Sequence, residues 1–512
     1  MAAHVETIET PSQRIYRRRW LTLGALALSL VIIGLDNFVL NVALPTLQRS
    51  FNANASQLQW MVDAYILVFA GLLLLMGSLG DRFGRARLLQ LGLLVFGGAS
   101  VGATFATNAE QLIAARAVMG TGAAMIIPST LSILINVFPR EERGKAIAAW
   151  AGTSGLGIGL GPIAGGFLIE NFDWPAVFLI NVPVVIAALV LGLFLVPDSK
   201  DPEHASPDLP GAFLSISAIM ILVYGIIDAP RTGWTDPTIL GAFALAAALL
   251  VAFVWWEFRT AHPMVDFRLF RSARMSGGVA GVSFNFFAMF AVIFGLTQYL
   301  QFVLGQSPLA AGALMLPLAL GIPIGAGASV RLVHRFGTKR VVSGALLYAS
   351  LVLLSIQAWT PTTETWVVAL TLFFVAIGMA NVMAPSAEAI MGAVPERGAG
   401  VGSALNALVG QLAGALGVAV IGSIMNTVYS DRMTDAVAAL PAQVAGPARD
   451  SVGAAFAIAE QLPGNVGQLL ATAAGNGFVD ALHSGSLVAA GVVVVGAVLV
   501  AIVMPARHEP AS

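Results

Sequence analysis

The sequence predicts an all-α polytopic membrane protein with fourteen transmembrane helices: two bundles of six, and an inserted pair between them. Charged residues make up 10% of the 512 residues and hydrophobic residues 57%, whereas about a quarter of a soluble protein is charged. Fourteen apolar segments are long enough to cross a bilayer, which takes about 20 residues each. The basic residues cluster on one side of these segments, and the chain carries an internal repeat.

The apolar segments follow one another along the whole chain, and an even number of them places both termini on the same side of the membrane. The predicted spans are 20–44, 58–79, 88–107, 110–137, 145–169, 174–196, 210–229, 238–257, 275–304, 309–331, 341–360, 366–391, 399–426 and 484–505. The first span follows a cluster of arginines and is too long for a cleaved signal peptide. We therefore expect it to be retained.

The placement of the 26 Lys and Arg residues tests this count. Lys and Arg concentrate in the cytoplasmic loops of membrane proteins. With the N-terminus inside, 21 of them fall in inward tails and loops, four in outward loops (Arg49, Arg231, Arg432 and Arg449) and one, Arg116, within a span. Arginine outnumbers lysine by 23 to 3, which is typical of GC-rich bacteria. The predicted location is therefore a bacterial cytoplasmic (inner) membrane, with both termini in the cytoplasm.

Composition excludes several classes of function. The chain has no cysteine, which excludes thiolate catalysis, disulfides and cysteine-ligated metals. Its net charge of -1 provides no basic field for nucleic acid. The sequence contains no nucleophile–base pair, metal-ligand cluster or phosphate-binding glycine loop, so we expect neither an enzyme nor a bound metal or cofactor. The expected surroundings are membrane lipids, and the expected state is a monomer.

The chain repeats part of its plan. The loop Asp81–Arg87 after the second span is matched by His334–Arg340 after the tenth, 253 residues later. Two six-helix halves therefore share one arrangement, and hydrophilic stretches set off spans seven and eight as an inserted pair. The predicted units are 1–197, the inserted linker 198–273, and 274–512 with an outer loop at 427–483. Internal repeats in a polytopic protein are typical of secondary transporters, whose substrate path lies between the halves.

The outer loop at 427–483 is Ala-rich with scattered charges, and it allows two interpretations. Intermittent apolar positions such as Val444 and Phe456 would suit one or two amphipathic helices that lie on the membrane or on the protein. A mobile outer loop would have the same composition, so the sequence leaves both possibilities open.

The loop after the second span carries a dense set of motif residues. Its glycines permit a sharp turn and a close approach of helices, and Asp81 can cap a helix or pair with an arginine. The gating candidates are Gly77, Asp81, Arg82, Gly84, Arg85 and Arg87. The loop resembles the signature loop of the major facilitator superfamily, which latches the two halves together on the cytoplasmic side when the transporter faces out. His334 replaces the acidic residue in the second copy, so the resemblance assigns the latch to the first copy only.

Five further stretches are similar to the fourteen-helix drug:proton antiporters of that superfamily. They are Leu35–Pro45, Gln59–Tyr65, Arg116–Gly122, Phe178–Pro183 and Gln301–Pro308. The resemblance covers nearly the whole chain, and Asp63 makes the sequence similar to the branch that exports quaternary ammonium compounds. It implies a major facilitator fold and multidrug efflux driven by the proton motive force, an activity that confers antibiotic resistance.

The fifth span is unusually rich in glycine. Gly157, Gly161 and Gly165 lie at positions i, i+4 and i+8, so one face of the helix is reduced to backbone and allows tight packing against another helix. Pro162 would bend the helix, and Gly166 follows. Ordinary small-residue packing is the alternative explanation of the spacing. The whole string, however, resembles the antiporter motif of the superfamily's exporters, which implies export rather than import.

Three ionisable residues lie inside spans: Asp36, Asp63 and Arg116. Such residues are costly in a bilayer and usually mark ion or substrate pathways. At 1.5 Å per residue all three fall roughly 8 to 12 Å from the outer ends of their predicted spans, so we expect them to meet. The hypothesis is that Asp36 is the main proton site, tuned by Arg116, while Asp63 attracts cationic substrate and shares the proton. The alternative is a fixed ion-pair network with no role in transport.

Residues that could contact substrate lie in spans one, two, nine and twelve. The candidates are Asp63, Asn41, Tyr65, Phe286, Phe290, Gln298 and Glu388. Aromatic rings suit lipophilic cations through stacking and cation–π contact, although such residues also pack helices or face lipid. Glu388, near the cytoplasmic end of span twelve, is either an inward-facing substrate or proton site or a solvated helix-end residue.

The leading prediction is a proton-coupled antiporter that exports lipophilic, often cationic, drugs or toxic compounds by alternating access. Its partners would be these small molecules and protons, and the proton gradient would take the place of any cofactor. A dedicated exporter of an endogenous lipid or natural product would use the same machinery, and the sparse acids of the C-terminal half slightly favour it. A non-transporting scaffold or sensor is disfavoured, because it has no use for buried charges.

Overall fold

The computed structural model describes residues 11–200, 208–261, 263–394, 399–438 and 440–505. In this part of the chain all regular structure is helical, which confirms the predicted all-α class. Thirteen of the described helices are long and apolar enough to cross a membrane. A further helix of 33 residues, Arg140–Phe172, lies where the fifth span was predicted.

The helices follow the predicted spans in order. The first half contains α1 (Pro11–Phe51), α2 (Ala55–Phe83), α3 (Arg85–Thr104), α4 (Ala109–Val137), α5 (Arg140–Phe172), α6 (Pro175–Leu179) and α7 (Asn181–Leu195). The inserted pair is α8 (Leu209–Thr232) and α9 (Pro237–Glu257). The second half contains α10 (Ala273–Gln298), α11 (Pro308–Ala313), α12 (Leu316–Phe336), α13 (Thr338–Leu354), α14 (Thr365–Met391), α15 (Ala399–Val437), α16 (Ala442–Asp450), α17 (Val452–Gln461) and α18 (Asn465–Val503).

Two helices reach further into the predicted outer loop at 427–483 than hydropathy suggested. Helix α15 continues to Val437 and α18 begins at Asn465. The segment between them holds the short helices α16 and α17, as one of the two interpretations predicted. Charges such as Arg432 and Asp480 pair with each other at 3.0 Å across these extensions. Hydropathy marks only the part of a helix that lies within the bilayer, so it missed these polar ends.

The two halves pair their helices in the same way. In the first half α1 packs on α5, α2 on α4, and α3 on α7. The equivalent pairs in the second half are α10 with α15, α12 with α14, and α13 with α18. The repeated loop is equivalent in detail. Gly84 follows α2 with a φ of 119°, and Gly337 follows α12 with a φ of 81°, backbone angles that favour glycine. The unit boundaries at 197 and 273 stay a prediction.

The two halves contact each other near the helix ends predicted to face outward, which we call the outer ends. A methyl group on Gly166 of α5 would lie 2.5 Å from the Pro308 carbonyl oxygen of α11. Gln301 in the π-helical turn after α10 donates a 2.8 Å hydrogen bond to the Val42 carbonyl of α1. Gln48 of α1 donates to the hydroxyl of Ser451, just before α17, at 2.6 Å. These contacts close the outer side of the protein.

The glycine face of α5 gives a direct test of the packing. The Cα of Gly157 lies against the backbone of Gly34 in α1, so a methyl group there would overlap main-chain atoms. Because a backbone cannot give way like a side-chain tip, we expect Gly157→Ala to destabilise the protein by about 3 kcal/mol. The matched control is Gly98→Ala in α3, where the methyl group meets no atom within 4 Å. Thermal unfolding in detergent measures both, and equal midpoints for the two variants would contradict this packing.

Candidate functional site

The centre of the candidate site is an ion pair between Asp36 of α1 and Arg116 of α4, whose side chains are both 1% exposed. The Arg116 guanidinium also donates to the Met61 carbonyl oxygen at 3.1 Å and lies over the ring of Tyr65, 4.3 Å from its centre. A buried charge is tolerated only when it is paired and hydrogen-bonded. Arg116 meets that condition through contacts with α1 and α2.

The second oxygen of Asp36 is also bound. It accepts a hydrogen bond from the Asn181 amide of α7 at 3.2 Å. The same amide donates to the Ser100 hydroxyl at 3.0 Å, and that hydroxyl donates to the Phe178 carbonyl at 2.8 Å. The network therefore joins α1, α3, α4 and α7. The sequence had placed Asn181 only within a family-like stretch and had missed Ser100, although both are polar residues inside apolar spans.

Asp63 of α2 does not join this network. Its side chain is fully buried, and among the described residues neither carboxyl oxygen has a hydrogen-bond partner. The structure thus brings together two of the three predicted residues and leaves the third apart. The depth estimate was also short for α1: this helix continues to Phe51, so Asp36 lies roughly 22 Å from its outer end at 1.5 Å per residue.

The two carboxyls therefore differ in chemistry. Asp36 faces a guanidinium and an amide donor, so both of its carboxyl oxygens have a hydrogen-bond partner. A buried carboxyl without a donor is far less costly as a neutral acid than as an anion. Asp63 is such a group. It can hold a proton while the site is closed and can pair with a cation when the proton is lost.

The other substrate candidates are spread over both halves. Tyr65 lies beneath Arg116, and Asn41 is buried with its amide on the Asn37 carbonyl at 2.8 Å. Gln298 is buried, and its amide donates to the Phe294 carbonyl at 3.2 Å. These three candidates are already engaged in local contacts.

The aromatic candidates pack between two helices of the second half. Phe286 and Phe290 of α10 stack with ring centres 6.1 Å apart. Methyl groups on Gly410 and Gly414 of α15 would lie 3.3 Å and 3.1 Å from these two rings. The rings thus serve helix packing in this state. Glu388 is exposed near the inner end of α14, the position expected of a solvated helix-end residue.

The loop that carries the gating candidates is held by the segment that follows α7. Asp81 pairs with Arg85 at 2.6 Å, as the sequence allowed. The backbone N–H of Arg85 donates to the Ser199 carbonyl at 3.1 Å, and Arg87 pairs with Asp198 at 3.2 Å. The remaining loop candidates contact nearby residues. Arg82 lies over the Phe83 ring. Gly77 faces Pro128, and Gly84 lies next to Asp198. In this outer-closed state the loop is thus tied to the chain that leaves the first half.

The glycine-rich part of α5, which resembles the antiporter motif, has two contact faces. Gly157, Gly161 and Gly165 pack on residues 34–39 of α1, the turns that carry Asp36. Gly166 and Pro162 instead reach across to α11, where Gly312 lies against the Pro162 carbonyl. One helix therefore positions the acidic residue and also closes the contact between the halves.

These features define the class of protein: a polytopic helical bundle with repeated halves and a buried ion pair is a secondary transporter. The family profile described as Major Facilitator Superfamily matches residues 26–418. The chain belongs to this superfamily, whose members are membrane transporters and not enzymes.

Curated relatives match over most of their length. The multidrug efflux pump LfrA of Mycolicibacterium smegmatis is 35% identical, covering 96% of this chain and 98% of its own. The methyl viologen resistance protein SmvA of Salmonella typhimurium is 34% identical, covering 93% and 96%. The tetracenomycin C resistance and export protein of Streptomyces glaucescens is 33% identical, covering 83% and 79%.

Solved structures show the same fold at low sequence identity. A bacterial homologue of the human lysosomal transporter Spinster, in an inward-facing and unoccupied conformation, aligns with a TM-score of 0.66 at 17% identity, covering 96% of this chain and 99% of its own. The POT family transporter PepTSo aligns with a TM-score of 0.63 at 14% identity, covering 94% and 97%. The predicted major facilitator fold is thereby confirmed.

Proposed function

We propose that this protein is a proton-coupled antiporter of a bacterial cytoplasmic membrane, with both termini inside, that exports lipophilic cations by alternating access. The observation that carries the proposal is the contrast between two buried carboxyls. Asp36 is paired with Arg116, whereas Asp63 has no partner for either oxygen. Relatives described as a multidrug efflux pump and a methyl viologen resistance protein support this substrate class, because methyl viologen is an organic dication.

One site can exchange a proton for a cation if it holds only one of them at a time. In the outer-closed state the neutral acid of Asp63 holds the proton. When the site opens to the cytoplasm, an entering cation favours the Asp63 anion, and the proton leaves to that side. When the site opens outward, a proton returns to Asp63 and displaces the cation. The carboxylate thereby couples two opposite fluxes.

The Asp36–Arg116 pair has a different part in this scheme. The Arg116 guanidinium supplies the counter-charge of the Asp36 carboxylate while the pair is closed. The pair fixes α1 against α4, and the glycine face of α5 packs on the same turns of α1. The sequence hypothesis made Asp36 the main proton site, whereas this proposal assigns that role to Asp63. Asp36 and Arg116 instead hold the helices of the first bundle in position.

In this scheme the proton gradient alone drives export of the substrate, so the proposed protein needs no cofactor. We also propose that it acts as a monomer in the lipid bilayer. A natural-product exporter is the second candidate, and the tetracenomycin C resistance and export protein among the relatives favours it. Such an exporter would accept uncharged polycyclic compounds, whereas a site built on Asp63 prefers cations.

Purified protein in liposomes tests the function. Tetraphenylphosphonium and methyl viologen are the cationic probes, and an uncharged polycyclic dye is the comparison. We expect an imposed pH gradient to drive accumulation of the cations against their own gradient, and a protonophore to abolish it. Accumulation that persists without a pH gradient would contradict proton coupling, and preference for the uncharged dye would favour the second candidate.

A further inference from the structure

The outer end of the inserted helix α8 is hydrogen-bonded to both halves of the transporter. The Ser56 hydroxyl of α2 donates to the Ile227 carbonyl oxygen at 3.0 Å. The Ser423 hydroxyl of α15 donates to the neighbouring Ile226 carbonyl oxygen at 2.6 Å. Ser56 is 7% exposed and Ser423 is 1% exposed. Adjacent carbonyls of one helix are therefore shared between the first half and the second.

A proline explains why the second of these bonds is possible. In a regular helix the backbone N–H of residue 230 would donate to the Ile226 carbonyl, four residues earlier. Residue 230 is Pro230, inside α8, and proline has no N–H. The Ile226 carbonyl thus lacks its usual helical donor, and the Ser423 hydroxyl supplies one from the opposite half.

The contact of α2 with α8 and α15, which we call the seam, also covers Asp63. Ser56, Gln59 and Asp63 lie at positions i, i+3 and i+7 of α2, on one face of the helix. Ser56 from this face reaches α8, and the Gln59 amide reaches the Val418 carbonyl of α15 at 3.5 Å. Asp63 is one turn further in on that face. The side chains that join α2 to α8 and α15 therefore lie between Asp63 and the outer surface.

We propose that α8 is a working part of the outer gate, and that the seam of α2, α8 and α15 closes over Asp63 and is latched by the bond from Ser423 to the Ile226 carbonyl. The inference rests on the proposed alternating access. Because α2 and α15 belong to opposite halves, opening the outer side separates them, and α8 can remain bonded to only one. The inserted pair is then a moving element of transport and not a spacer.

Because the chain has no native cysteine, a single introduced cysteine can be labelled specifically, with no other cysteine to remove. The reporter is Val418→Cys, a position 1% exposed in the closed seam. A membrane-impermeant maleimide is applied to right-side-out vesicles, and the labelling rate measures how often the seam opens outward. Phe105→Cys, at a residue 76% exposed after α3, reports orientation and reagent activity and should be labelled at one rate in every background.

Adding Ser423→Ala to the reporter removes a bond that forms only in the closed seam, so we expect the labelling rate to rise about threefold to tenfold. Pro230→Ala supplies a backbone N–H to the Ile226 carbonyl, and in that background Ser423→Ala should add less than twofold. Pro237→Ala is the matched control, because Pro237 is the first residue of α9, where the N–H has no helical acceptor. It should leave the rate unchanged.

Two results would overturn the inference. One is a labelling rate of Val418→Cys that does not change when Ser423→Ala is added. A Val418→Cys reporter that stays unlabelled with and without Ser423→Ala, while Phe105→Cys reacts, counts as the same result. The other is an effect of Ser423→Ala that is just as large in the Pro230→Ala background. Cation uptake is measured in parallel on the parent. If the parent fails to take up cations but its labelling rate depends on Ser423, the result counts against the proposed function and not against the gate. If uptake is normal but the labelling rate does not depend on Ser423, the result counts against the gate alone.

Discussion

Asp36→Asn is expected to destabilise the protein by about 3 to 5 kcal/mol, because it leaves a buried guanidinium without its counter-charge. Arg116 is 1% exposed and would keep only the Met61 carbonyl and the Tyr65 ring. The asparagine oxygen can still accept from Asn181, but the amide NH2 group then faces the guanidinium, so Arg116 loses both its counter-charge and its hydrogen bond to residue 36. We expect a large drop in the thermal midpoint in detergent, together with loss of cation transport.

A double variant separates charge from shape. Asp36→Asn with Arg116→Gln removes both charges, and we expect it to recover most of the lost stability, since neutral partners of similar size often replace a buried ion pair at little cost. Transport should stay absent if the pair holds α1 in its working position. If the single Asp36→Asn variant had the same thermal midpoint as the parent protein, the buried Arg116 would not need Asp36 as its counter-charge.

Gly312→Ala is expected to block transport while leaving the protein folded. The added methyl group would overlap the Pro162 carbonyl oxygen of the opposite half, and one on Gly166 would lie 2.5 Å from the Pro308 carbonyl. In the proposed alternating access, both contacts form only when the outer side is closed. We therefore expect transport to fall at least a hundredfold in either variant, which corresponds to about 2.7 kcal/mol or more against the closed state.

The control for this pair is Gly327→Ala in α12, whose methyl group would meet no atom within 4 Å. It should transport normally. The Val418→Cys reporter should be labelled faster in Gly312→Ala than in the parent, because the outer side can no longer close. Normal transport by Gly312→Ala would mean that the contact between α5 and α11 is not part of the cycle.

Much of this architecture could be predicted from the sequence because it depends on local patterns. Apolar length marks the spans, and the repeated glycine loop marks the two similarly built halves. The orientation that arginine placement indicates stays a prediction. The pairing of Asp36 with Arg116 could also be predicted, since opposite charges inside apolar spans have few other partners in a bilayer. The packing of α5 on another helix could be predicted from its glycines, but the partner, α1, could not.

The separation of Asp63 from that pair could not be predicted, because depth alone does not determine which neighbour a side chain meets. Each residue turns the helix by about 100°, and Asp63 shares its face with Gln59 and Ser56, which contact α15 and α8. The bonds of α8 to both halves depend on contacts between residues far apart in sequence, such as Ser423 and Ile226. The ends of α15 and α18 carry charged residues such as Arg432 and Asp480, so hydropathy does not mark them as parts of these helices.

Proton release on cation binding tests the central claim most directly. Tetraphenylphosphonium is added to the purified protein in weakly buffered detergent solution, and the released protons are measured with a pH-sensitive dye. We predict about one proton per bound cation from the parent and from Glu388→Gln, which removes an exposed carboxylate, and none from Asp63→Asn. Undiminished proton release from a folded Asp63→Asn variant would contradict the assignment of Asp63 as the carboxyl that exchanges a proton for the cation.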